Sequence, residues 1–130
     1  MLFKEIPGNT LVKKRLISSV KNNRISHAQL FVGNSGSAKL ALAFAYARYL
    51  NCANKLEEVS CGKCSSCSKY NNLSHPDLHL VFPVLKASGA KVAVSDNFIN
   101  GWRDFILKNT YGSLNGWINT FRTENKAGDR

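Results

Sequence analysis

Four cysteines gathered in one short stretch constrain the fold of this chain more than any other feature. Cys61, Cys64 and Cys67 form two overlapping C-x2-C pairs, and Cys52 precedes them. The chain has 4 cysteines in all, so none is left over. Four thiolates at this spacing suit the closed tetrahedral coordination of a structural Zn²⁺ ion. The sequence therefore predicts that these four residues hold one zinc ion.

Other interpretations of the cysteines stay open from the sequence alone. An iron–sulfur cluster also uses a C-x2-C-x2-C run, although its fourth cysteine then follows the third rather than lying upstream. Two disulfides would require an oxidising compartment, whereas the first residues show no signal peptide and predict a cytoplasmic protein with reduced thiols. His75 could replace Cys52 as a ligand.

A second constraint is a glycine-rich segment with the character of a phosphate-binding loop. It consists of Gly33, Asn34, Ser35, Gly36, Ser37, Ala38, Lys39 and Leu40. Gly33 and Lys39 stand at the spacing of the GxxxxGK[ST] pattern, between a predicted strand and a predicted helix. Successive backbone N–H groups at the start of such a helix can surround a phosphate.

Two positions depart from that pattern. Ala38 replaces the second glycine and adds a Cβ atom where the backbone needs a positive φ or a close approach to phosphate. Leu40 replaces the hydroxyl residue, and leucine offers no oxygen to Mg²⁺. We interpret the segment as a degenerate phosphate loop and expect neither ATP as a cofactor nor ATP hydrolysis by this chain. A plain glycine-rich turn and a working ATP site are the alternatives.

No other set of residues assembles into a catalytic site, so no catalytic residue is predicted. The chain carries 18 Lys+Arg against 8 Asp+Glu, a formal net charge of +10. This balance fits either a solvated basic surface or a surface that contacts nucleic acid or an acidic partner. The longest apolar run, 40–47, is too short to cross a bilayer, so no membrane segment is expected.

The apolar pattern predicts an α/β fold. Residues 28–32 and 78–84 are apolar runs typical of buried strands. Residues 86–94 are predicted as a loop, or as a loop with a short edge strand. Helices are predicted over 10–22, 39–51 and 65–73, from Ser95 (a predicted cap) and after Ser113, with Asn9 or Thr10 capping the first. Three segments follow: 1–51 with the phosphate loop, 52–73 with the cysteines, and 74–130 with the second strand and a helical insertion.

The order of these motifs resembles the start of bacterial clamp-loader subunits, the delta-prime and gamma/tau subunits of DNA polymerase III. The resemblance rests on residues 24–33 (RISHAQLFVG), on Gly36 and Lys39, on the four cysteines and on residues 74–77 (SHPD). It covers residues 1 to about 84, and the stretch 96–129 is similar to an insertion in some delta-prime sequences. The degenerate phosphate loop favours delta-prime over gamma/tau.

The resemblance implies a P-loop module of the AAA+ type with a zinc-binding insertion. Delta-prime-like subunits usually do not hydrolyse ATP and act as a rigid stator in a ring that loads the sliding clamp onto primed DNA. The implied partners are the gamma/tau and delta subunits, the sliding clamp and primed DNA. Gly33, Gly36 and Lys39 then correspond to the phosphate loop, and the four cysteines to the zinc ligands.

An AAA+ module needs a longer chain than 130 residues, so the sequence is expected to be the N-terminal part of a subunit. The sheet neighbours of both predicted strands would be missing, and unpaired strand edges favour self-association of the isolated chain. Two alternative functions stay open: an ATP-binding motor subunit of the gamma/tau kind, and a small zinc-containing nucleic-acid-binding module.

Overall fold

Helices supply the regular structure in the described residues of the computed structural model, which are 1–85 and 93–127, with side chains to Phe121 in the last helix. They are α1 (Thr10–Lys21), α2 (Lys39–Asn51), α3 (Ser65–Asn71), α4 (Ile99–Lys108) and α5 (Leu114–Ala127), with 3₁₀ turns at Phe3–Glu5 and Ser95–Phe98. The chain divides into two units, Met1–Leu78 and His79–Arg130. No helix among the described residues is long and apolar enough to span a bilayer.

Both predicted strands are wrong for the described residues. The segments 28–32 and 78–84 have no regular secondary structure there. A strand exists only where a neighbouring segment completes its hydrogen-bond ladder, and neither segment finds such a neighbour in the described part of the chain. The α/β class is therefore not confirmed, and what the structure contains is helical. Residues 86–92 of the predicted loop lie outside the described residues.

Helix α2 is the centre of the first unit. It is apolar on most sides, so it packs against several elements at once: α1, α3 and the N-terminal 3₁₀ turn. The core around it consists of Phe3, Ile6, Ile17, Ala38, Ala41, Leu42, Ala45, Tyr46 and Tyr49. Because the phosphate loop precedes α2 and Cys52 follows it, this one buried helix positions both candidate sites.

The predicted starts of α1, α2, α3 and α5 are correct, whereas α4 begins at Ile99, after a 3₁₀ turn, and not directly after Ser95. The predicted caps are wrong. Asn9 has a left-handed backbone and makes no side-chain cap bond to α1. Its amide instead donates to the Ser37 carbonyl, 3.4 Å away, and so ties the start of α1 to the phosphate loop. Ser95 likewise does not cap the following turn, because its hydroxyl bonds the backbone of Phe82.

An aromatic core holds the second unit together. Phe82 stacks on Trp102 with ring centroids 4.5 Å apart, and Trp117 meets both rings edge-on. The Trp117 indole N–H donates to the Pro83 carbonyl at 2.7 Å. This bond holds the segment around Pro83 against α5. Phe105 also packs against this cluster. The aromatic residues spaced along α4 and α5 therefore form a core.

Candidate metal centre and phosphate loop

The four predicted zinc ligands converge on one point. The Sγ atom of Cys61 lies 3.6 Å from that of Cys52 and 4.0 Å from that of Cys67. All four Sγ atoms, including that of Cys64, lie within 4.8 Å of one another. Sulfurs placed tetrahedrally around an ion at about 2.3 Å stand about 3.8 Å apart. The four thiols could therefore hold one metal ion and would leave it no open coordination position.

The same distances bear on the alternatives. The four cysteines are free, and separations near 3.6 Å are much longer than an S–S bond of about 2.05 Å. The four thiolates of an iron–sulfur cluster are divided among two or more irons, so some of them would stand further apart than these four sulfurs do. His75 is engaged elsewhere: its ring packs on Tyr70, and its Nδ1 accepts the Asp77 backbone N–H at 3.2 Å.

Backbone N–H groups surround the sulfurs and explain why the chain turns so tightly here. Cys61 donates its N–H to the Sγ of Cys52 at 3.3 Å, and Cys64 donates to that of Cys61 at 3.4 Å. Cys67 donates to the Sγ of Cys64 at 3.4 Å, which caps α3. Gly62 takes the positive φ of +75° that the turn between Cys61 and Cys64 requires.

These contacts set the acidity of the thiols. The backbone N–H of Cys67 lowers the pKa of Cys64 to about 6. The N–H groups of Lys63 and Cys64 lower the pKa of Cys61. Burial instead raises the pKa of Cys52 to about 11, since the charged form loses its hydration. Cys61 and Cys64 thus lose their protons readily and can bind a metal as thiolates, whereas Cys52 would lose its proton only when a metal displaces it.

The predicted phosphate loop forms a tight turn at the start of α2. Ser37 donates its N–H to the Asn34 carbonyl at 3.2 Å, and Gly36 has a φ of +81°. Ala38 is left-handed, with a φ of +61°, although it carries a Cβ. The Lys39 ammonium donates to the Asn34 carbonyl at 3.0 Å and so bridges the loop. Leu40 lies in the first turn of α2, where a hydroxyl residue would be needed to hold Mg²⁺.

A cleft of about 520 Å³ adjoins this loop. Its lining includes three cations: Arg15 of α1, Arg24, which follows α1, and Lys39. Leu30 and Val32 contribute apolar surface to the same lining. No carboxylate is found among the described residues of its lining. The cleft can accept an anionic group but offers no acidic ligand for a divalent cation. Sequence reasoning missed both arginines, because only the packing of α1 brings them to the loop.

Comparisons of the sequence with known proteins match this chain to a DNA polymerase III family. A family model described as "DNA polymerase III, delta subunit" matches residues 8–116. "DNA polymerase III subunit delta'" of Bacillus subtilis is 40% identical over 72 residues, which is 55% of this chain and 22% of that protein. "Protein STICHEL-like 1" of Arabidopsis thaliana is 38% identical over 71 residues, 54% of this chain and 6% of that protein.

A third relative has the name of a different subunit. "DNA polymerase III subunit tau/gamma" of Haemophilus influenzae is 32% identical over 76 residues, 58% of this chain and 11% of that protein. The chain thus spans less than a quarter of the length of each of these relatives. No solved structure matches this chain.

Proposed function

The chain belongs to the DNA polymerase III delta-subunit family, and on that basis we propose that it is the N-terminal part of a non-catalytic, delta-prime-like clamp-loader subunit. In this role the subunit helps a clamp loader place the sliding clamp on primed DNA during replication. Its partners are the gamma/tau and delta subunits, with the clamp and the DNA reached through the assembly. The proposed location is the cytoplasm.

The observation that carries the non-catalytic assignment is the side chain at the Mg²⁺ position of the phosphate loop. Leu40 presents carbon where a motor subunit needs an oxygen. The loop nevertheless keeps its turn and its lysine, with Gly36 and Ala38 both at positive φ. The loop thus keeps its backbone turn although it lacks the hydroxyl that would bind Mg²⁺. This supports a structural role in which residues 33–40 hold α2 against α1.

We further propose that Cys52, Cys61, Cys64 and Cys67 bind one structural Zn²⁺. Bound zinc would supply no chemistry beyond cross-linking, since four thiolates complete its coordination. The chain's own residues do the rest. The backbone N–H groups of residues 61–67, here called the cysteine knuckle, stabilise the thiolates. Asn51 joins α2 to α3 through a 2.8 Å bond to the Tyr70 hydroxyl. The layout proposed is 1–51 for the loop and its helix, 52–73 for the zinc module and 74–130 for the helical insertion.

An ATP-binding motor subunit is the second candidate, favoured by the match to tau/gamma of H. influenzae and by the cationic cleft. A small zinc-containing nucleic-acid-binding module is the third, and the net charge of +10 favours it. A steep fall in DNA affinity with salt for the isolated chain would support this third candidate.

The test is clamp loading by an assembly built from the complete reading frame that encodes this chain, together with the gamma/tau and delta subunits of the same organism. Lys39→Ala is introduced in this subunit, and the phosphate-loop lysine of gamma/tau is replaced by alanine in the matched control. We expect clamp loading to persist with Lys39→Ala and to be lost in the control. Loss of loading with Lys39→Ala would assign motor activity to this subunit and contradict the proposal.

A further inference from the structure

Arg48 is a buried cation without a carboxylate partner. Its side chain is 4% exposed, and its Nε has no hydrogen-bond partner in the described structure. One terminal nitrogen donates to the Met1 carbonyl over a long 3.4 Å. The ion pairs among residues 1–85 and 93–127 join the Met1 ammonium to Glu5 and His75 to Asp77, and neither includes Arg48. A buried charge without a countercharge is strongly destabilising.

The position of Arg48 points to the cysteine knuckle. It lies on α2 one turn before Cys52, and residues four apart share a helix face. A Cβ atom built on Gly62, which follows Cys61 directly, would lie 4.0 Å from a terminal nitrogen of Arg48. The buried guanidinium thus lies close to Gly62, the residue that follows Cys61, and Arg48 shares a helix face with the position of Cys52.

The charges are complementary. Zn²⁺ with four thiolates has a net charge of −2, because four negative ligands exceed the two positive charges of the ion. Lys63 lies within the same knuckle but is exposed, so water screens its ammonium. Arg48 is shielded from water and its attraction to a buried anion is correspondingly stronger.

We infer that Arg48 is the buried countercharge of the zinc–tetrathiolate centre, a positioning residue that stabilises the bound metal without ligating it. The inference rests on the proposed zinc site. It explains why a cation is placed on the apolar helix α2, where every other fully buried side chain is aliphatic or aromatic. Partners outside the ligand shell commonly change metal affinity by about 10- to 100-fold.

The test compares zinc dissociation constants, measured by competition with a chromogenic chelator, for the wild-type chain and four variants. Arg48→Met removes the charge and keeps an apolar side chain, Arg48→Gln also keeps an amide donor for Met1, and Arg48→Lys keeps the charge. Lys63→Met removes an equal charge from the exposed side of the knuckle. We expect affinity to fall by about 10- to 100-fold in Arg48→Met and Arg48→Gln. Arg48→Lys and Lys63→Met should stay within a few-fold of wild type.

The thiolate-to-metal charge-transfer band of the Co²⁺-substituted chain provides a second measurement, and we expect it to shift when Arg48 loses its charge but not when Lys63 does. Unchanged zinc affinity in both uncharged Arg48 variants would overturn the inference alone, as would equal losses in Arg48→Lys and Arg48→Met, which would indicate packing rather than charge. Absence of zinc binding by the wild-type chain would overturn the proposed zinc site itself and this inference with it.

Discussion

At the scale of single residues, the four thiols differ in acidity although they share one site. N–H donors from the backbone lower the pKa of Cys64 to about 6, and burial raises that of Cys52 to about 11. In the metal-free chain near pH 7, Cys64 is therefore mostly thiolate and Cys52 is a thiol. Thiolates are the reactive form, so acidity decides which sulfur is modified first.

We expect iodoacetamide to alkylate Cys64 first and Cys52 last in the metal-free chain. Peptide mass spectrometry after short exposures at pH 7 measures the order. Addition of zinc should protect all four thiols, which provides the control. Equal alkylation rates in the metal-free chain would contradict the environments described for these sulfurs.

The same pKa shift gives a pH dependence with a definite sign. The pKa of Cys64 is lower in the folded chain than in the unfolded one, so its contribution to the free energy of unfolding is fully present above the ordinary thiol pKa. That contribution is lost as the pH falls through about 6. Chemical denaturation of the metal-free chain between pH 5 and about pH 9 should show stability rising with pH, and Cys64→Ser should flatten the rise.

At the scale of elements, the proposed zinc ion would hold the cysteine knuckle and α3 in place. Helix α3 has only seven residues, too few to be stable alone, and Cys64 and Cys67 lie at its start. Cys64→Ser should release this helix and cost much of the stability of the first unit, because structural zinc binding is coupled to folding. Ser68→Ala, at an exposed position of α3, is the matched control. Thermal unfolding by circular dichroism checks both, and equal melting temperatures would contradict a structural metal.

Ser95 makes a separate connection in the second unit. Its hydroxyl accepts the Phe82 N–H at 3.1 Å and donates to the Phe82 carbonyl at 2.8 Å. Ser95→Ala leaves both backbone groups without these partners, so we expect a loss of about 1–3 kcal/mol in the free energy of unfolding. Asn100→Ala, at an exposed position of α4, should change it by less than about 0.5 kcal/mol. Denaturant titration followed by tryptophan fluorescence measures the difference.

Periodicity predicted the helices because their signal is local. The apolar residues of 39–51 recur on most sides, and α2 has the predicted bounds. The strands at 28–32 and 78–84 were wrong because a strand depends on a neighbour that local pattern does not reveal. Ser95 and Asn9 were assigned to caps because capping is the commonest local use of such residues, whereas both bond distant backbone groups here.

In the candidate sites too, the features with a local sequence signal were predicted, and the features that depend on tertiary packing were not. Ligand spacing identified the four cysteines, and the structure brings their sulfurs together. The loop pattern predicted a positive φ at the position of Ala38, and the φ of Ala38 in the structure is +61°. Arg15, Arg24 and Arg48 were missed, since their roles depend on which helices pack together and the sequence pattern treats them as ordinary surface cations.

At the scale of the whole molecule, the two segments predicted as strands expose apolar side chains. Leu30 is 88% exposed, Val32 81% and Val81 93%. Such side chains on unpaired backbone favour contact with a second copy. We expect the 130-residue chain to form dimers or larger species in analytical ultracentrifugation, and a double substitution, Leu30→Lys with Val32→Lys, to weaken them.

The matched control for self-association is Leu11→Lys, because Leu11 is 63% exposed on the regular helix α1. This variant should associate as the wild type does. A wild-type chain that sediments as a monomer at every concentration would show that the exposed segments do not pair.

We propose above all that the chain keeps the turn of a phosphate loop but has lost Mg²⁺-nucleotide chemistry. The most direct measurement is a calorimetric titration of the chain with ATP, with and without Mg²⁺. The wild-type chain should bind ATP weakly or not at all, with no gain from Mg²⁺, because Leu40 offers no oxygen ligand. Tighter binding of ATP by the wild-type chain in the presence of Mg²⁺ would contradict the claim.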